Sequence, residues 1–201
     1  MDYKKRAEEI VERFSKHVAE YSEVRENLEM LTFKKPGTSV DALWYIRHGG
    51  FLFVYGDLGE ATYSWSENAP MLWISGLNLG YFHEKCRASE GGACYKWFDW
   101  DADVAKESLE QSFKDDEDEC EGQERIRFEE LFGWNAIHNR DEWYQWVNDN
   151  GCEVFGSEFY EWVFQVGEII PYFCQMHLIG LREAFKESEK VVKFVQGGNG
   201  K

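Results

Sequence analysis

Two adjacent glycines set between two runs of β-formers constrain this chain more than any other feature. Leu43-Trp44-Tyr45-Ile46 leads through Arg47 and His48 to Gly49-Gly50, and Phe51-Leu52-Phe53-Val54-Tyr55 follows at once. Such runs, separated by two residues that tolerate positive φ, form tight hairpins. Gly56-Asp57-Leu58-Gly59 supplies a second turn before Ala61-Thr62-Tyr63-Ser64-Trp65, where large and small polar side chains alternate. The expectation is a three-stranded antiparallel β-meander. Three strands do not stand alone, so one face must rest on helices.

Helical signals lie on both sides of this segment. From Tyr3 to Leu31 the apolar residues Ile10, Phe14, Val18, Tyr21, Val24, Leu28 and Leu31 recur every three or four positions, which reads as one long N-terminal helix. Pro36-Gly37 ends it. Leu72 to about Ala88 has helical spacing interrupted by Gly76 and Gly80. Asp101 or Asp103 is placed to cap a helix through Val104, Leu109 and Phe113. Glu124 to Phe132, Asp141 to Val147 and Ser157 to Val166 are short helical candidates, and Pro171 opens a last helix through Tyr172, Met176, Ile179 and Phe185. The whole reads as an α+β chain with a mostly helical C-terminal half. Residues 1–35 form the N-terminal helix, 36–195 a single domain with an acidic loop near 114–122, and 196–201 a disordered tail.

Charge narrows the partners. The chain carries a formal net charge of -16, and 13 Asp/Glu against 4 Lys/Arg fall between Asp101 and Glu130. The run Asp115, Asp116, Glu117, Asp118, Glu119 is its densest part. By contrast, the segment through Lys35 balances eight acids against eight bases. Phosphate contacts need clustered Lys and Arg, so direct nucleic-acid binding is disfavoured and a basic partner favoured. No apolar stretch approaches the ~18 residues of a membrane span. The cysteines are odd in number, five, and irregularly spaced, and the N-terminus lacks a signal-peptide pattern. Both point to a reducing, cytoplasmic location.

Aromatic residues make up 17% of the chain, with nine Trp. They serve either as core filler or as exposed anchors for a partner. Tyr95, Trp97, Phe98 and Trp100 precede the acidic block and Trp134, Trp143, Tyr144 and Trp146 follow it, so Trp97 and Trp100 are the candidate anchors beside Asp115–Glu119.

No complete catalytic or metal motif is present. His83-x-x-Cys86, with Cys94, lacks the second ligand pair of a structural zinc site. Asp99, Asp101, Asp103 and Glu110 have EF-hand spacing, but Val104 stands where the loop needs glycine, so helix capping is the better account. There is no Gly-x-Ser-x-Gly elbow, Walker A loop or Gly-x-Gly-x-x-Gly. His48 and His177 read as partly buried structural histidines. The expectation is therefore no metal, no cofactor and no catalytic residue. An enzyme assembled from distant residues would draw first on His83 and Cys86. A small-molecule binder would use an aromatic pocket between sheet and helices. The oligomeric state stays open.

The stretch Leu43 to Asp57, continued by Ala61-Thr62-Tyr63-Ser64-Trp65 and by Asn78-Leu79-Gly80-Tyr81-Phe82-His83-Glu84-Lys85-Cys86-Arg87-Ala88-Ser89-Glu90, resembles small uncharacterised proteins of phages and prophages. Acidic phage accessory proteins of this size include anti-CRISPR and other anti-defence inhibitors. The resemblance implies a non-enzymatic inhibitor that occupies a basic, nucleic-acid-binding site on a bacterial defence complex. It brings no residue-level motif with it.

Overall fold

The computed structural model describes residues 3–89, 98–115, 137–155 and 159–188. The chain divides into two compact units, one spanning residues 98–169 and the other formed by the chain before and after that segment.

The second of these is built on a six-stranded antiparallel sheet in simple sequence order: β1 (Val18–Arg25), β2 (Leu28–Lys34), β3 (Leu43–His48), β4 (Phe51–Gly56), β5 (Ala61–Ser64) and β6 (Cys86–Ser89). The expected hairpin is its centre. His48 pairs with Phe51 across Gly49-Gly50, Gly49 has a φ of 58°, and β5 pairs with β4 as the third strand.

The long N-terminal helix is corrected. Helix α1 covers only Tyr3–Phe14, and the chain then turns into β1 and β2. The apolar residues at helical spacing also fit a strand pair. In β2 the alternate residues Glu29, Leu31 and Phe33 are buried, while Met30 between them is exposed. Glu26 and Asn27 form a two-residue hairpin loop, with Asn27 at a φ of 62°, a conformation that asparagine tolerates better than most residues. The three-stranded expectation therefore becomes six, with Cys86–Ser89 supplying the last strand where a helix was expected. In the segment from Leu72, two short helices form instead of one: α2 (Met71–Ser75) and α3 (Leu79–Glu84).

One face of the sheet is covered. Leu31, Phe33, Leu43, Tyr45, Leu52, Val54 and Tyr63 form one core with Ile10 and Phe14 of α1 and with Cys174, Met176, Leu178, Leu181 and Ala184 of the last helix. In chain order that last helix is α6 (Tyr172–Ser188), where the Pro171 signal placed it. It lies very close to the strands at Gly180. A Cβ there would stand 2.6 Å from Tyr45 Oη and 2.7 Å from Leu43 Cδ1, so only glycine permits the approach.

In the unit of residues 98–169, β7 (Asp99–Trp100) pairs with β8 (Glu168–Ile169). Helix α4 (Ala102–Asp115) starts where expected, with Asp101 Oδ1 accepting from the Val104 amide at 3.0 Å. Helix α5 (Arg140–Phe155) is twice as long as the Asp141–Val147 stretch suggested. Asn139 caps it, and Trp143, Val147 and Val154 line its buried side. Residues Ser157 to Val166, expected as a helix, supply two 3-10 turns, Phe159–Glu161 and Val163–Gln165. Trp143 is fully buried and stacked on both Trp100 and Trp146, with its indole N–H donated to Val163 O. Three of the nine tryptophans are thus core filler in a unit short of aliphatic side chains.

Candidate interaction surface

The residues singled out for partner binding fall as follows. Asp115 closes α4; Asp116, Glu117, Asp118, Glu119 and Trp97 lie outside the described residues, as do the acidic loop near 114–122 beyond Asp115, the 124–132 stretch and the C-terminal tail. Trp100 is half-buried. Its ring stacks on Trp143 at 6.1 Å and its indole N–H is donated to Val166 O at 2.9 Å, so most of its surface is committed inside its own unit.

Exposed aromatics stand elsewhere. On the opposite face of the sheet, Phe51, Phe53 and Tyr55 of β4 are exposed. Phe51 stacks on Phe53 and Tyr55 on Trp44, with Met30 on the same face. At the α2 end, Leu72 is 63% and Trp73 50% exposed. Beside them lies a pocket of about 440 Å³, walled by Trp65, Trp73 and Tyr81, with Glu67 and Asn68 in the loop between strand and helix.

A five-residue helix does not hold itself in place, and here buried polar contacts do so. The Glu29 carboxylate accepts from the amide of Met71, the first residue of α2, at 3.0 Å and from Tyr21 Oη at 2.6 Å, and it is paired with the buried guanidinium of Arg47. Burial, followed by the hydrogen bond to Glu29, pushes the Tyr21 phenol well above its usual range, so Tyr21 remains a donor. At the other end of α2, Arg182 of α6 donates to Ser75 O at 3.0 Å and to Leu77 O. Asn78 then caps α3 by accepting from the amide of Tyr81 at 2.9 Å. The Trp65 amide is donated to Gly50 O at 2.8 Å, and a Cβ on Gly50 would stand 2.4 Å from Trp65 O, so the loop rests directly on the hairpin tip. Each wall of the pocket is tied to the sheet or to α6. The backbone around the pocket is thus anchored by the fold itself.

A second cluster is chemically richer but closed. His177 Nε2 lies 3.2 Å from Gly59 O, which can only accept, so Nε2 carries the proton and Nδ1 accepts from Tyr63 Oη at 2.9 Å. Tyr63 Oη is 3.7 Å from Cys174 Sγ, and Tyr45 Oη donates to His177 O at 2.9 Å. Burial pushes the His177 imidazole down to about 4 and both tyrosines well above their ordinary range. All four residues have no exposed surface, so the cluster offers no nucleophile or base to a substrate. It orders the core. His177 is thus structural, and more fully buried than expected, whereas His48 stands exposed at the end of β3.

His83, in α3, and Cys86, the first residue of β6, are both buried. Among the described residues no three His, Cys, Asp or Glu side chains converge as metal ligands, and no helix is long and apolar enough to cross a membrane.

No family model, curated protein or solved structure matches this chain. The geometry of its surface is therefore what bears on function. The Trp65–Trp73–Tyr81 pocket was not singled out by sequence reasoning. Trp65-Ser66-Glu67-Asn68-Ala69-Pro70 reads only as a strand end followed by a helix start, and which rings remain uncovered depends on contacts from Glu29 and Arg182, far away in the chain.

Proposed function

We propose that this chain is a phage-encoded, non-enzymatic inhibitor that acts in the bacterial cytoplasm. It binds a basic, nucleic-acid-binding site of a host defence complex such as a CRISPR effector. One observation carries the reading: an acidic block contributing -9 of the chain's -16 charge accompanies a surface of exposed aromatic side chains. Concentrated carboxylates speed encounter with a groove of Lys and Arg, and well-supported rings supply the few contacts that dominate affinity. The chemistry-bearing cluster at His177 is sealed in the core, which favours a binder over a catalyst.

Exchange of Asp115, Asp116, Glu117, Asp118 and Glu119 for Ser tests it. The variant is expected to associate more slowly with its partner, with a shallower dependence of the on-rate on salt and an unchanged melting temperature. Unchanged association and salt dependence would overturn the role of the acidic run. Activity that persists at amounts far below the target's would overturn the stoichiometric inhibitor.

A further inference from the structure

Aromatic faces carry negative quadrupolar potential and attract cations placed over them, and arginine, planar and weakly hydrated, stacks on them best. The pocket beside α2 joins three such rings, Trp65, Trp73 and Tyr81, to the carboxylate of Glu67 and the amide of Asn68. Among the described residues that line it, none is basic. Its volume of about 440 Å³ leaves room for a long side chain. Lys85 Nζ already lies 4.3 Å from the Tyr81 ring centroid, so the rings left for an incoming cation are those of Trp65 and Trp73. The backbone that carries the walls is held by Gly50 under the Trp65 loop, Glu29 at the start of α2 and Arg182 at its end. An anchored backbone of this kind lowers the cost of ordering the site on binding.

We propose that this pocket receives the guanidinium of an arginine side chain presented by the partner protein. The assignment rests on the basic-partner reading above and adds to it a site in the unit that carries the sheet. The guanidinium lies against the indoles of Trp65 and Trp73, and Glu67 accepts from its N–H groups at the rim. Trp73, half-exposed and on a helix held at both ends, is the wall whose loss empties the cage without disturbing the core.

The test uses the intact chain and two small probes: N-acetyl-arginine methylamide and its neutral isostere N-acetyl-citrulline methylamide. Binding is followed by the backbone amide signals of Ser66, Glu67 and Asn68 and the indole N–H signals of Trp65 and Trp73. The arginine probe is expected to shift these signals saturably while the citrulline probe does not. Glu67→Gln should weaken the arginine probe about two- to fivefold, the scale of one partly exposed ion pair. Trp73→Ala should abolish the response at an unchanged melting temperature. Equal shifts from both probes, or shifts that survive Trp73→Ala, would overturn the proposal. The probes need no partner, so the two readings fail separately. A dead pocket with partner binding intact overturns only the cage, whereas an arginine-binding pocket in a chain that captures no basic protein overturns the inhibitor reading.

Discussion

The buried imidazole of His177 makes the stability of the sheet unit depend on pH, with a size set by its surroundings. The ring is neutral, with no exposed surface, and its proton sits on Nε2 facing Gly59 O. Protonating Nδ1 would add a charge in the core and remove the acceptor used by Tyr63 Oη. Burial accordingly lowers the folded-state pKa from 6.5 to about 4. The unfolded chain then takes up a proton that the folded chain refuses. The contribution to stability is complete above pH ~6.5 and is lost as pH falls toward 4. At ~1.4 kcal/mol per pKa unit, the loss is roughly 2 kcal/mol at pH 5 and about 3 kcal/mol near pH 4. Acidification also relieves the repulsion of a -16 chain, so the histidine must be isolated by difference. Urea unfolding of the wild type and of His177→Gln, each at pH 7.5 and pH 5, provides that difference. The variant starts less stable, because the carboxamide leaves part of the buried ring's volume unfilled, yet it should lose roughly 2 kcal/mol less than the wild type between the two pH values. Equal losses in the two proteins would refute the placement of a neutral, sealed imidazole at this position.

Other consequences follow from the packing. Gly180→Ala places a methyl 2.6 Å from Tyr45 Oη and should destabilise by about 1–3 kcal/mol, read as a lowered melting temperature. Arg47→Met leaves the buried Glu29 carboxylate without its cation and should cost about 3–5 kcal/mol in urea unfolding. Removing the acceptor through Glu29→Leu should in addition speed amide exchange at Met71, because its N–H loses its partner. In the other unit, Trp143→Ala empties a fully buried site stacked between two further indoles and should cost about 3–5 kcal/mol, measured by denaturant unfolding.

What could be read from the sequence was what local chemistry alone decides. Gly49-Gly50 between β-formers specified the central hairpin, Asp101 marked the start of α4, and Pro171 marked the start of α6. The N-terminal segment misled because Val18, Tyr21, Val24, Leu28 and Leu31 satisfy a helical stripe, while the alternation that wins is confined to Glu29–Phe33 and depends on pairing with β3. A buried glutamate at position 29 disguised that alternation. It reads as polar, but it is satisfied by Tyr21 on the neighbouring strand and by Arg47 and the amide of Met71, both remote in sequence. The candidate site was hidden for the same reason. Trp100 and Trp73 look alike in sequence, yet one is stacked into a core and the other held outward by contacts to Glu29 and Arg182 on either end of its helix.

The central claim is stoichiometric binding to a basic, nucleic-acid-binding bacterial protein. Affinity capture on the tagged chain from nuclease-treated lysate of a bacterium carrying defence systems, with quantitative mass spectrometry, tests it most directly. Recovery of a nucleic-acid-binding effector in near-equal amount is the expected result. Recovery of no such protein above background would contradict the account.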